Sequence, residues 1–156
     1  MSPDRHADQG ELLRVNDVPA GFTPSKRSSG YLDLIGPIYE AGEGADYRLG
    51  LRVDARHVNT RGTCHGALFS ALADVHLGRL LAMSTTPPLA LVTAHLSLDY
   101  ISSAPLGAWL EAVGQVDRVG KTLAHSSGRI LADGKIALRC AGVFQVTSRP
   151  VPGRNA

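Results

Sequence analysis

The sequence predicts an α+β fold in which an antiparallel sheet of about six strands wraps around one long central helix. Three observations point to it. A single stretch, residues 65–83, reads as a convincing helix, and it is apolar round nearly its whole circumference. Segments on both sides alternate apolar and polar residues with the period of two of a half-buried strand. The last strands are joined by short turns, which make antiparallel neighbours.

Taken in order, residues 1–29 are rich in Arg, Asp, Gly, Pro and Ser and read as an N-terminal arm or flexible tail. Within them Glu11-Leu12-Leu13-Arg14-Val15 could pack as an arm. Residues 31–40 are apolar but carry Gly36-Pro37, so a bent or edge strand is expected. Residues 47–56 set Leu49, Leu51, Val53 and Ala55 against Arg48, Gly50, Arg52 and Asp54. The helix follows, with Thr63 as its expected N-cap and Pro87-Pro88 forbidding continuation. On a wheel Leu68, Phe69, Leu72, Val75, Leu77, Leu80 and Leu81 fall on nearly every side, so burial on all sides is expected. Gly66, Ser70, Asp74 and Gly78, spaced by four, form one small and polar stripe.

Four strands come next, at 91–101, 109–118, 122–132 and 135–147. Val119-Gly120-Lys121 and Asp133-Gly134 supply turns. Ala124, Ser126, Gly128 and Ala132 are small residues at alternate positions and leave room for something bulky against the sheet. The two prolines of Ser148-Arg149-Pro150-Val151-Pro152-Gly153 make 148–156 a C-terminal tail, so the folded unit is expected at 30–147. A sheet curled round one helix is the hotdog architecture.

Composition narrows the function classes. A chain of 156 residues with 44% hydrophobic and 19% charged residues fits one globular domain, not a disordered one. A net charge of +2 gives nucleic acid little to hold. Cys64 and Cys140 form no C-x-x-C pair, and His57, His76, His95 and His125 lack metal-ligand spacing, so no metal is expected. No signal peptide or membrane span is read, which makes the cytoplasm the expected compartment.

Asp74 stands out because it lies mid-helix among Leu72, Ala73, Val75 and Leu77. A carboxylate is costly to bury without a partner. It is either paired structurally or placed in a cleft as a general base or nucleophile. His65-Gly66 opens the helix, where free backbone N–H groups and the dipole suit a developing oxyanion and glycine admits a ligand closely; an ordinary helix start would look the same. Asn59, in the loop before it, could hold a water or a carbonyl oxygen, or simply shape the loop.

The run His57-Val58-Asn59-Thr60-Arg61-Gly62-Thr63-Cys64-His65-Gly66-Ala67, followed by Ala71-Leu72-Ala73-Asp74, closely resembles the hotdog acyl-CoA thioesterases of the PaaI/4HBT kind. Their signature is an Asn, a His-Gly pair at the helix start and an acid eight residues after that Gly. The resemblance extends through Leu91-Val92-Thr93-Ala94-His95, Val119-Gly120-Lys121-Thr122 and Asp133-Gly134-Lys135, with Ser103-Ala104-Pro105 departing from a more usual Pro-Ala.

The resemblance implies hydrolysis of an acyl-CoA to free acid and CoA, with CoA present only as part of the substrate and no cofactor. Asp74 would be the base or nucleophile and the Gly66 amide the oxyanion donor. Asn59 would orient water or thioester, His65 would help position the acyl carbonyl, and Thr93 would assist the attacking water. Lys121 after Gly120 resembles the family's nucleotide-contacting turn; by their charge Arg118, Lys121 and Arg61 are candidates to meet the CoA phosphates, or else simply solvated turn residues. The resemblance also implies a homodimer with the site at the subunit interface, with dimer versus tetramer open, while charge and hydropathy lead to the expectation of no membrane or nucleic-acid partner. The alternatives are a non-catalytic acyl-CoA-binding module and an acyl-CoA hydratase or dehydratase. One tension is visible: Thr93 alternates away from Val92, Ala94, Leu96, Leu98 and Tyr100, the set expected to face the core.

Overall fold

The structure, a computed structural model, describes residues 17–147. The arm expected at residues 11–15 and the tail at 148–156 lie outside the described residues. One antiparallel sheet holds seven strands: β1 (Thr23–Pro24), β2 (Tyr39–Ala41), β3 (Arg48–Arg52), β4 (Ala90–Tyr100), β5 (Trp109–Val119), β6 (Leu123–Ala132) and β7 (Lys135–Thr147). Their order is β1-β2-β3-β5-β6-β7-β4. Helix α1 (Gly30–Ile35) separates β1 from β2, and α2 (Gly66–Ala82) separates β3 from β4. The sheet wraps α2, as the sequence predicts.

Two differences fall in the first quarter of the chain. Residues 31–40 are not one bent strand. Ser29 caps a short helix by accepting from the Leu32 N–H at 3.3 Å, and the Gly36 N–H closes it on the Leu32 carbonyl at 2.8 Å. Leu32 and Ile35 lean on the core while Tyr31 and Leu34 face out, a spacing of three that suits a helix turn. The chain becomes a strand only after Gly36-Pro37. Residues just before 30 are also less loose than expected. Thr23 and Pro24 pair with Glu40 and Tyr39, and Phe22 packs edge-on against Trp109 with ring centroids 5.1 Å apart. Trp109 lies across Gly50, where a Cβ would come 2.2 Å from its ring, so it anchors the sheet rather than lining a pocket.

Strand β3 ends at Arg52, and Ala55, in the turn of helix that follows, is exposed, but Leu49, Leu51 and Val53 are buried, as the alternation requires. Opposite them α2 buries Leu72, Leu77 and Leu81 completely. The small residues of the sheet receive this helix. The Ser126 hydroxyl donates to the Leu77 carbonyl at 3.3 Å. A Cβ at Gly142 or Gly114 would sit 3.3 or 3.4 Å from the Leu77 methyls. The bulky partner for which β6 leaves room is therefore α2 itself.

The helix start differs by a detail. His65, not Thr63, is the N-cap: its Nδ1 accepts from the Ala67 N–H at 3.0 Å. Thr63 is held back by a bridge to Pro105 and by bonding to Asn59. Burial on all sides is also incomplete. Ala67 is exposed, and Ala71, Asp74, Val75 and Gly78 are only half-buried, because the sheet ends at β4 and leaves that flank of α2 open. No helix among the described residues is long and apolar enough to cross a membrane.

His76 faces the sheet, stacked on Tyr47 with centroids 5.6 Å apart. Both ring nitrogens are buried without a hydrogen-bond partner, and burial lowers its pKa from 6.5 to about 4. Between these values the unfolded chain binds a proton that the native chain refuses. Stability from this group is complete above about pH 6.5 and falls as the pH drops toward 4, a loss approaching about 3 kcal/mol. Urea midpoints measured across this range should show the loss, and His76→Leu should flatten that part of the slope. Leu77→Ala, at the helix–sheet seat, should cost about 2–5 kcal/mol in the same measurement with the denaturant slope unchanged.

Candidate active site

The loop between β3 and α2 is tied down at both ends. The Asp54 N–H donates to His57 Nδ1 at 2.9 Å, which leaves the His57 proton on Nε2, 2.8 Å from the Ile35 carbonyl. The His65 N–H reaches the His57 carbonyl and the Cys64 N–H reaches Ala104, both at 2.8 Å. Asn59 shapes the turn between these anchors. Its Oδ1 accepts from the Arg61 N–H at 2.8 Å and its Nδ2 donates to Thr63 Oγ1 at 3.1 Å. One N–H of the Asn59 amide is left over.

Asn59, Arg61, Gly66 and Tyr100 line one cavity of about 450 Å³. Gly66 opens α2 there, and its N–H is one of the helix amides with no intrahelical acceptor. Tyr100 closes over it: the hydroxyl lies 2.7 Å from Ser70 Oγ and donates to the Gly66 carbonyl at 3.2 Å. A Cβ on Gly66 would come 3.2 Å from the tyrosine ring. Cys64 also lines this cavity, but burial pushes its thiol up to about 12, so it offers no thiolate for chemistry.

Asp74 lies two helical turns further on, in a second cavity of about 250 Å³ with Thr93. The Thr93 hydroxyl donates to Asp74 Oδ1 at 2.7 Å. This contact resolves the tension in the alternation of β4. Thr93 pairs with Phe144 and His95 with Val143, so Ala94 is an extra residue, a β-bulge. The bulge reverses which face the side chains take. Leu91 packs on the core before it and Thr93 turns to the helix, while Leu96 and Leu98 pack on the same core after it. Val92, expected to face the core, is 57% exposed on the other side. The small stripe of α2 meets this end of the sheet: Tyr100 against Gly66 and Ser70, Thr93 against Asp74, and Phe144 against Gly78.

Within one chain the expected residues thus fall into separate groups. Asn59, Arg61 and Gly66 share the first cavity, with His65 beside it as the helix cap. Asp74 and Thr93 share the second. Eight residues of helix put Gly66 and Asp74 about 12 Å apart along the axis. Arg118, Gly120 and Lys121 line neither cavity. Arg118 lies near the end of β5 and Gly120 and Lys121 in the turn to β6, where a Cβ on Gly120 would come 2.7 Å from the Leu123 carbonyl. The register row Val119, Ala124, Phe144, Thr93 places this turn at the Thr93 end of the sheet, three strand spacings or about 14 Å away. Sequence alone does not mark Tyr100, Arg27 or Arg79 as site residues. Tyr100 reads there as a core residue of β4, and the arginines carry no local signal.

Comparison with known proteins gives the geometry its context. The sequence model of the thioesterase superfamily matches residues 61–136. A Pseudomonas aeruginosa protein named "Putative esterase PA0474" is 42% identical over 132 residues, covering 83% of this chain and 98% of that protein. Human acyl-coenzyme A thioesterase 13 is 29% identical over 93 residues, covering 54% of this chain and 66% of that one. Among solved structures, the E. coli PaaI protein from the phenylacetic acid degradation operon superposes with a TM-score of 0.69 at 20% identity, over 78% of this chain and 86% of that one. With its helix wrapped in an antiparallel sheet and a relative this similar along most of its length, the chain belongs to the thioesterase superfamily and has the hotdog fold.

Proposed function

We propose that this protein hydrolyses an acyl-CoA thioester to the free acid and CoA, at sites each built from two copies of the chain. The observation that carries the reading is the Asp74 carboxylate, held by Thr93 and half-open to a cavity beside the last strand of the sheet. The amide end of the same helix opens on a different cavity, so one chain presents two halves about 12 Å apart. Strand β4 pairs with β7 on one side only, and its other edge is free among the described residues. An eleven-residue open edge is a template for strand pairing. Pairing β4 with its twin about a two-fold axis would cover the open flank of α2 and set the Asp74 cavity of one copy against the Gly66 cavity of the other.

In that composite site the Gly66 N–H, at the positive end of the α2 dipole, stabilises the oxyanion of the thioester carbon. Asp74 Oδ1 is fixed by Thr93, which leaves Oδ2 to take a proton from water as the water oxygen attacks. The C–S bond then breaks, the proton passes to the CoA sulfur, and the acid leaves. Direct attack by the carboxylate is the variant of the same reading; a single turnover in ¹⁸O-water distinguishes them, since only that route places the label in Asp74. The remaining N–H of Asn59 orients the water or the thioester, and His65 offers Nε2 to the acyl carbonyl. Arg61 and the exposed turn of Arg118, Gly120 and Lys121 supply positive charge for the nucleotide phosphates. The name of the human relative, an acyl-coenzyme A thioesterase, supports the substrate class.

Asp74→Ala should lower kcat on a panel of acyl-CoAs by about 10²–10⁴-fold, with the oligomeric state and far-UV spectrum unchanged. Thiol release followed with a chromogenic disulfide measures it. Undiminished turnover would remove Asp74 from the mechanism. CoA binding without any turnover in the parent chain would leave a binding module instead.

A further inference from the structure

The cavity that holds Asp74 and Thr93 is also lined by two arginines, Arg27 and Arg79. They come from distant parts of the chain, one from the segment between β1 and α1 and the other from the last turn of α2. Among the described residues neither guanidinium makes an ion pair. Arg27 Nη1 and Arg79 Nε are buried and have no hydrogen-bond partner among the described residues. A cation in the last turn of a helix is favoured by the dipole, which accounts for a charge at Arg79. It does not account for a second guanidinium brought to the same cavity, nor for N–H groups left without acceptors, which is costly.

The two charges converge. Both act on the Tyr47 phenol: burial and the Glu40 carboxylate push its pKa up, and Arg27 and Arg79 pull it back. Of the carboxylates at hand, Glu40 accepts from the Tyr47 hydroxyl at 2.8 Å and Asp74 from Thr93 at 2.7 Å, and neither forms an ion pair with the two arginines. The cavity therefore holds two forked donors that no carboxylate of the described residues meets in an ion pair.

We infer that Arg27 and Arg79 bind the far end of the acyl group, and that this end is a carboxylate: the preferred substrates are short ω-carboxyacyl thioesters. The inference rests on the thioesterase reading, with Asp74 at the reacting carbon. Arg79 is five residues beyond Asp74 on α2, about 7.5 Å along the axis. A short dicarboxylic chain spans that distance. The phosphates of CoA lie beyond the long pantetheine arm and would have to fold back to reach it. The cavity volume of about 250 Å³, roughly eight water molecules' worth, also suits a short chain better than a fatty one. A guanidinium fork meets a carboxylate through two parallel hydrogen bonds, which a neutral chain end cannot offer.

Glutaryl-CoA and pentanoyl-CoA, equal in carbon count, separate the carboxylate from everything else in the ligand. Dissociation constants for both, measured on the Asp74→Asn protein, read the subsite without turnover, and kcat/KM on the parent chain reads it with turnover. The expected result is a preference for glutaryl-CoA in both measurements. Arg79→Met should shrink that preference by about 10-fold to 100-fold, Arg27→Met should act in the same direction, and Arg79→Lys should restore part of it. Equal or tighter binding of pentanoyl-CoA, or a preference that Arg79→Met leaves unmoved, overturns the inference. So does an equal loss for both ligands, which would mark the arginines as phosphate contacts or packing. Failure of the thioesterase reading looks different: the binding preference would stand while neither thioester is cleaved.

Discussion

The seat of α2 on the sheet is the constraint from which the site follows. A helix can sink into a curled sheet only where the sheet has almost no side chain. Gly114, Ser126 and Gly142 provide that floor, and Leu77 presses into it. The close approach fixes the rotation of the helix about its axis. With Leu72, Leu77 and Leu81 turned inward, the stripe of Gly66, Ser70, Asp74 and Gly78 must face β4 and β7. The stripe is small for the same reason the floor is: a Cβ on Gly66 would come 3.2 Å from the Tyr100 ring and one on Gly78 3.1 Å from the Phe144 ring. Asp74 is the one member of that row with a charge.

A carboxylate in such a place needs both a hydrogen bond and access to solvent or ligand. It has both. Thr93 supplies the bond, and the end of the sheet at β4 leaves the flank of α2 uncovered. The bulge at Ala94 makes this possible, because without it β4 would turn Thr93 away from the helix or turn Leu96 and Leu98 out of the core. One inserted residue reconciles a core-facing strand with a polar contact at its far end. The same open edge leaves a single chain with two half-sites, which is why the proposed chemistry needs a second copy.

His76 and Asp74 show how the same helix treats two polar residues in opposite ways. Asp74 lies on the open flank, where the Thr93 hydroxyl donates to it. His76 faces the sheet, with Tyr47 stacked flat against it and no hydrogen bond to either nitrogen, and burial holds it neutral. The arginines of the Asp74 cavity are a third case: charged groups that the described chain leaves without acceptors.

What the sequence by itself determined was whatever local spacing controls. The central helix, the hairpins of β5, β6 and β7, and the buried alternation of Leu49, Leu51 and Val53 are periodicities within short windows. Asn59, Gly66 and Asp74 were legible as a set because their spacing matches a family pattern. Only the tertiary structure decided the rest. The bulge at Ala94 exists in the pairing of β4 with β7, not in β4, so alternation along one strand placed Val92 and Thr93 on the wrong faces. Helix α1 depends on a serine cap and on Leu32 and Ile35 finding the core, too short a segment for periodicity to identify. The division of the site between two cavities, and the meeting of Arg27 with Arg79, come from contacts between residues far apart in the chain. Such contacts are set by how the sheet curls round the helix, and no window of sequence contains that.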